Sequence, residues 1–181
     1  MITQEYIENK LRSFDVNPKI LDSYHEENRY YHNIDHILYM LNKANDLGVL
    51  TDNLFLAIVY HDLVYSFNPI IQNFNEYRSA RIFKKHFKGK ISKENLKKVY
   101  YAIISTKDHK WTSILSYRLI KLDLSILYDS TLSEFQEYEE KIRKEYSNFS
   151  NSVYSKHRIS ILKNLNVSQD KIKLVENIYK I

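Results

Sequence analysis

Cysteine is absent from all 181 residues, which removes disulfide scaffolds, thiolate zinc sites, iron–sulfur clusters and a cysteine nucleophile together. Glycine and proline number two each, too few to supply the turns of a many-stranded sheet. No apolar run reaches membrane-spanning length. The amino terminus, MITQEYIENKLRSF, is amphipathic and carries acids from the start, unlike a basic segment followed by an apolar one. These absences predict a soluble, cytoplasmic protein with no membrane partner.

What is present is helical patterning from end to end. The length suits one domain, and residues 1–181 are expected to form a single all-α helical bundle. TQEYIENKLRSF opens the chain, and Asn17 with Pro18 starts a second helix. A third runs from about Asn33 to Leu47 and stops at Gly48. Thr51 then caps DNLFLAIVYHDLVY, apolar almost all round and therefore central. After a polar loop, SFNPIIQN, a helix beginning at NEYRSA ends at Gly89, and Ser92 opens KENLKKVYYAIISTKDH. SYRLIKLDLSILY reads as one helix with Leu119, Leu122, Ile126 and Leu127 on one side, and TLSE is a capping box for the next. Basic amphipathic helices near 151–165 and 169–180 close the chain.

The formal charge of +5 would steer anions toward the protein. Lysine, asparagine, isoleucine and tyrosine are all abundant, as an A+T-rich coding sequence gives, and the lysines read as scattered among glutamates rather than in one block. Charge alone is given little weight here. Sixteen tyrosines invite a base-stacking reading, and Tyr30, Tyr31, Tyr60 and Tyr65 flank the residues of interest, yet aromatics at helical spacing are usually core.

The chemistry-bearing residues are few. RYYHNIDHILYML places His32 and His36 four apart, and His61-Asp62 ends the apolar helix. A carboxylate beside an imidazole on such a helix is costly to bury unless a cation compensates it. Asp123, between Leu122 and Leu124, repeats the pattern. His36, His61, Asp62 and Asp123 supply two imidazoles and two carboxylates from three helices, a mixed set suited to Mn, Fe, Co, Ni or Zn better than to Ca, and helical bundles build metal sites in this way. A zinc peptidase needs Glu directly after the first His, where this chain has Asn33.

His36, then His61-Asp62, then a distant Asp123 resembles the HD superfamily of metal-dependent phosphohydrolases. RYYHNIDHILYML, AIVYHDLVYSF, NEYRSA, IISTKDH, LDLSIL and IRKEYSNFSNSVYSKHR, in that order, resemble the small predicted members of that superfamily. YHNIDH also has the Y-H-N-x-x-H form of cyclic-nucleotide phosphodiesterases, a resemblance that implies a metal role for His36 and a general-acid role for His32. The guanosine-tetraphosphate hydrolases carry a Glu-Asp pair soon after the His-Asp, where this chain reads LVYSF.

The resemblance implies one or two divalent ions per chain, Mg included, and hydrolysis of a phosphate ester by metal-activated water. A nucleotide monoester is the first expectation for the substrate and a cyclic nucleotide or other phosphodiester the second. It also implies a site role for Glu76, orienting a metal water or holding a second ion, with Asn75 beside it either in the site or capping a helix. Arg29 and Arg158 are the candidates for phosphate oxygens, and His109 for phosphate or the outer shell. His25, His86 and His157 have no evident partner and default to the surface. The rivals from another class are a metal-containing binding module without catalysis and a basic helical protein that contacts nucleic acid.

Overall fold

The computed structural model describes residues 1–68 and 70–180. Pro69, in the expected polar loop, and the terminal Ile181 lie outside the described residues. Among the described residues the chain is all-α, as the patterning predicts, with no β-sheet. Among the described residues no helix is long and apolar enough to cross a membrane.

The helices gather into two compact units, Met1–Asp123 and Leu124–Ile181. The first contains α1 (Gln4–Ser13), a 3₁₀ segment (Pro18–His25), α2 (Ile34–Asp46), α3 (Asp52–Tyr60), α4 (Asn75–Phe87), α5 (Lys93–Ser105) and α6 (Ile114–Asp123). Their starts are fixed by the side-chain caps expected of such residues: Thr3, Asn33, Thr51 and Ser92 each accept a bond from an amide of the first turn. Gly48 and Gly89 follow α2 and α4 with φ of +65° and +87°, the left-handed region where a side chain is disfavoured.

α3 is the centre of this unit. All seven residues from Leu54 to Tyr60 are buried, because α2, α4, α5 and α6 each pack against it. A helix apolar on every side needs such neighbours, and they make its C-terminal end a sheltered place.

Three expectations need correction. The segment after Asn17 is 3₁₀ rather than α. α3 stops at Tyr60, so His61 caps it and Asp62 to Tyr65 leave the helix. The run from Ser116 to Tyr128 is two helices, α6 and α7 (Ser125–Asp129), separated at Leu124. Leu119 and Leu122 therefore join the core of the first unit while Leu127 is buried in the second.

In the second unit, α7 is followed by α8 (Leu132–Glu145), α9 (Asn151–Asn164) and α10 (Gln169–Tyr179). Thr131 and Glu134 form the expected reciprocal capping box. Phe135, Leu162 and Val175 are fully buried. A polar pair sits among them: Arg158 donates from Nε to Glu139 at 2.7 Å and from Nη2 to Glu139 and to the Tyr138 hydroxyl. Glu139 is wholly buried, so this bonding is what makes its charge tolerable.

Candidate metal centre

The site is assembled from the ends of three helices. Asn33 caps α2 by accepting from the amides of Asp35 (3.0 Å) and His36 (3.4 Å). His36 thus occupies the first turn, on the same buried side as Ile37 and Met40. His32 precedes the cap and is not part of the helix.

At the end of α3 the last carbonyls have no partner within the helix and must find one elsewhere. Side chains supply it. Tyr24 donates its hydroxyl to Val59 O (2.9 Å), and His61 Nδ1 donates to Ile58 O (2.8 Å). A carbonyl can only accept, so Nδ1 carries a proton, and whenever the ring is neutral its Nε2 lone pair faces the interior. Arg29 completes the set beyond the helix, donating to Asp62 O (2.6 Å), Leu63 O (3.0 Å) and His32 O (3.3 Å), and pairing through Nε with Glu26 at 3.0 Å.

Asp123, the last residue of α6, brings its carboxylate to the same place. Its Oδ1 lies 3.2 Å from His36 Nε2 and 3.7 Å from His61 Nε2, and Asp62 Oδ2 lies 3.0 Å from His61 Nε2. One donor atom from each of His36, His61 and Asp123 falls within 4.8 Å of the other two. An ion about 2.0–2.2 Å from each N or O donor would hold those donors roughly 3–4 Å apart, the range of the two His–Asp123 separations. Nδ1 of His36 is buried without a hydrogen bond, and Nε2 of His36 and of His61 are buried with only the Asp62 and Asp123 carboxylate oxygens beside them, at 3.0–3.7 Å. Buried ring nitrogens are rarely so poorly satisfied, and the two Nε2 atoms border the same cluster.

Charge gives the same answer. Burial would raise the Asp62 carboxyl, but the His61 imidazole holds it down at about 2. Burial would raise Asp123 likewise, and bonding to His36 and His61 holds it well below the usual carboxylate range. Burial opposes a charged His61, yet Asp62 and Asp123 together keep its pKa well up, while His36 is driven down by its burial. Two buried carboxylates thus share one imidazolium. A divalent cation would balance both and leave both imidazoles as neutral donors.

No family model, curated protein or solved structure matches this chain.

Around the cluster, the segment leaving α3 is clamped to α4. Ser79 Oγ accepts from Val64 N (2.9 Å), while Asn75 accepts from Ser66 N (3.0 Å) and donates to Ser66 O (3.1 Å). Asn75 is the first residue of α4 and not its cap, a place held by Phe74 with no side-chain bond. Tyr65, between the two clamped residues, stacks on the His32 ring at 4.1 Å and approaches His32 Nε2 with its hydroxyl at 3.3 Å.

Glu76 lies in the first turn of α4, its Oε2 buried without a partner. Burial raises its pKa, and the Asp62 charge adds to the effect. His109 sits in the turn beyond α5 in the left-handed region, φ +53°, and is not one of the converged donors. Arg29 spends its donors inside the protein, and Arg158 belongs to the second unit, bonded to Glu139 and Tyr138. His86, expected to be unpartnered, meets the Tyr60 hydroxyl at 2.9 Å.

Tyr24, Ser79 and Tyr65 carry roles the sequence reading missed. Ser79 had a usable signal: it stands four residues after Asn75, so both polar side chains share the buried face of α4. Tyr24 had none, because its partner is 35 positions away.

Proposed function

We propose that the chain is a metal-dependent phosphohydrolase of the HD type, acting on a phosphate ester, with a nucleotide monoester the preferred substrate class. The observation that carries this reading is the buried meeting of His36, His61 and Asp123 donor atoms, with the His61 tautomer fixed so that its lone pair faces the others. Asp62 is the fourth ligand. An ion held there, one of Mn, Fe, Co, Ni, Zn or Mg, supplies acidification of a bound water and neutralisation of charge at phosphorus.

The remaining roles fall to the chain. His32 delivers a proton to the leaving oxygen; its ring centroid is 6.0 Å from that of His36, close to the donor cluster and outside it. Stacking on Tyr65 and the Arg29 bond to its carbonyl support a fixed ring orientation, which general acid catalysis demands. Glu76, unpaired and with a raised pKa, orients water or a second ion. His109 and Asn75 border the substrate, and Arg29 acts on it only through the backbone it holds.

The test is phosphate release or nucleotide conversion by manganese-loaded protein on nucleoside monophosphates, cyclic nucleotides and simple phosphodiesters, with Asp62→Ala alongside. Turnover that chelation and Asp62→Ala both abolish supports the hydrolase, and conversion of cyclic nucleotides alone selects the diester alternative. Metal-replete protein inert on the whole panel would instead favour a binding module that keeps its ion for structure.

A further inference from the structure

Between residues 75 and 107 the chain has ten lysines and arginines against two glutamates, an excess of eight positive charges in a protein whose total is +5. The fold turns this stretch into the α4–α5 hairpin, and all ten cations are exposed. Ten of the 27 lysines and arginines of a chain that reads as evenly mixed are thus gathered on one supersecondary unit.

Their angular placement makes the concentration tighter. At 3.6 residues per turn, Tyr77, Arg78, Arg81, Lys84 and Lys85 fall within an arc of about 120° on α4, opposite buried Ser79, Phe83 and Phe87. That arc contains no acid. Exposed lysines are commonly offset by glutamates one turn away, and like charges so spaced weaken a helix. Here Arg81 and Lys85 stand four apart, as do Lys84 and Lys88, without compensation on that face. On α5, Lys93, Lys97 and Tyr101 share the outer side, and the one acid of that helix, Glu94, is bound to Lys98 at 2.6 Å.

Two contacts show that the outer faces of the two helices are continuous. Lys107 Nζ lies over the Tyr77 ring at 5.3 Å, and Lys84 Nζ over the Tyr100 ring at 5.6 Å. Stepping seven residues forward along α4, and seven back from Lys107 just beyond α5 to Tyr100 within it, moves from one pair to the other, as antiparallel packing requires. A seam of cations and rings therefore runs along the hairpin, with Tyr77 and Tyr101 42% and 52% exposed.

We propose that this face of the α4–α5 hairpin docks single-stranded nucleic acid, its cations following the phosphates and its exposed tyrosines stacking on bases. Arg78, Arg81, Lys85 and Lys88 succeed one another every three or four residues, about 4.5–6 Å along the axis, steps that an extended sugar–phosphate backbone can follow. A membrane surface fits less well. A helix lying on lipid buries an aliphatic face, whereas the exposed residues of α4 and α5 include no Leu, Ile, Val or Met. The proposal is independent of the metal centre's chemistry.

The experiment is fluorescence anisotropy of a labelled oligothymidylate of about 20 nucleotides with the full chain across a salt series, and co-sedimentation with phosphatidylserine–phosphatidylcholine vesicles. The test variant carries Arg78→Gln, Arg81→Gln and Lys85→Gln; a control of equal charge change carries Lys19→Gln, Lys156→Gln and Lys173→Gln. Circular dichroism establishes that both are folded. Three lost phosphate contacts should weaken binding about 100-fold near 0.1 M salt and flatten the salt slope by about 2, each contact contributing roughly 0.7. The control should stay close to wild type, and Tyr77→Leu with Tyr101→Leu should weaken binding while leaving the slope unchanged. Equal losses in the two triple variants, no binding of the oligonucleotide, or capture by the vesicles in preference to it would each overturn the proposal.

Discussion

Replacing Arg29 by methionine keeps most of the aliphatic stem and removes every donor, so it separates a guanidinium that holds backbone from one that binds substrate. The side chain is 1% exposed, and its Glu26 partner is 57% exposed, so that ion pair contributes little. The bonds to Asp62 O and Leu63 O are both buried. At about 1.5–3 kcal/mol for each charge-assisted bond, the loss is about 3–6 kcal/mol. Relief from burying a charge offsets part of this, leaving a net cost of about 2–4 kcal/mol. In a chain of this size that lowers the thermal midpoint by on the order of 5–15 °C. The freed carbonyls also loosen the backbone that carries His61 and Asp62, and loss of such support weakens metal affinity by about 10–100-fold. Thermal unfolding and metal titration of Arg29→Met measure both effects. A variant with unchanged midpoint and unchanged metal affinity but a raised KM would refute this account and return Arg29 to the substrate.

Manganese or zinc at about 100 times its dissociation constant should stabilise the protein by about 2.7 kcal/mol in differential scanning fluorimetry, with the shift absent in His36→Ala and Asp123→Ala; inorganic phosphate should add to it only after metal is loaded. His86 gives a pH signature. Burial lowers its pKa from the ordinary value of about 6.5, so folding favours the neutral ring, and that contribution is complete above the ordinary value and lost as pH falls through the depressed one. His86→Gln should therefore flatten the pH dependence of urea midpoints on the acid side of 6.5, and an unaltered profile would show that the ring does not titrate in that range. In the second unit, Glu139→Leu leaves Arg158 buried without its carboxylate and should cost about 3–5 kcal/mol in urea unfolding, with the metal affinity of the first unit unchanged.

The all-α class and the caps were legible because they rest on local chemistry. Asn33, Thr51, Ser92 and Thr131 each bond to amides within three residues. The convergence of His36, His61 and Asp123 was legible for another reason: each is an ionisable group in an apolar run, where solvent cannot pay for it. What escaped depends on distance along the chain. That α3 ends at Tyr60 is tied to Tyr24 and Arg29, more than thirty positions earlier, and no periodicity in AIVYHDLVY encodes that. The positive excess of residues 75–107 was readable in the linear sequence, but the seam was not, since Lys84 and Tyr100 become neighbours only once α4 and α5 fold back on each other.

Under the proposed function, the placement of the donors would make a cation necessary before an anionic substrate could enter. His61 caps the C-terminus of α3, and Asp123 is the C-terminal residue of α6, so two negative helix ends point at the cluster. α2, through His36 in its first turn, presents a positive end. With the Asp62 and Asp123 carboxylates added, the cluster's own field is unfavourable to phosphate, and the Arg29 guanidinium is committed to carbonyls. The same field that excludes phosphate concentrates a divalent ion. A bound ion would leave two imidazoles uncharged and balance two carboxylates, so under the proposed function the site would admit a phosphate ester only with the metal in place. Catalysis of the proposed kind would thus be conditional on the metal at the binding step as well as at the chemical step.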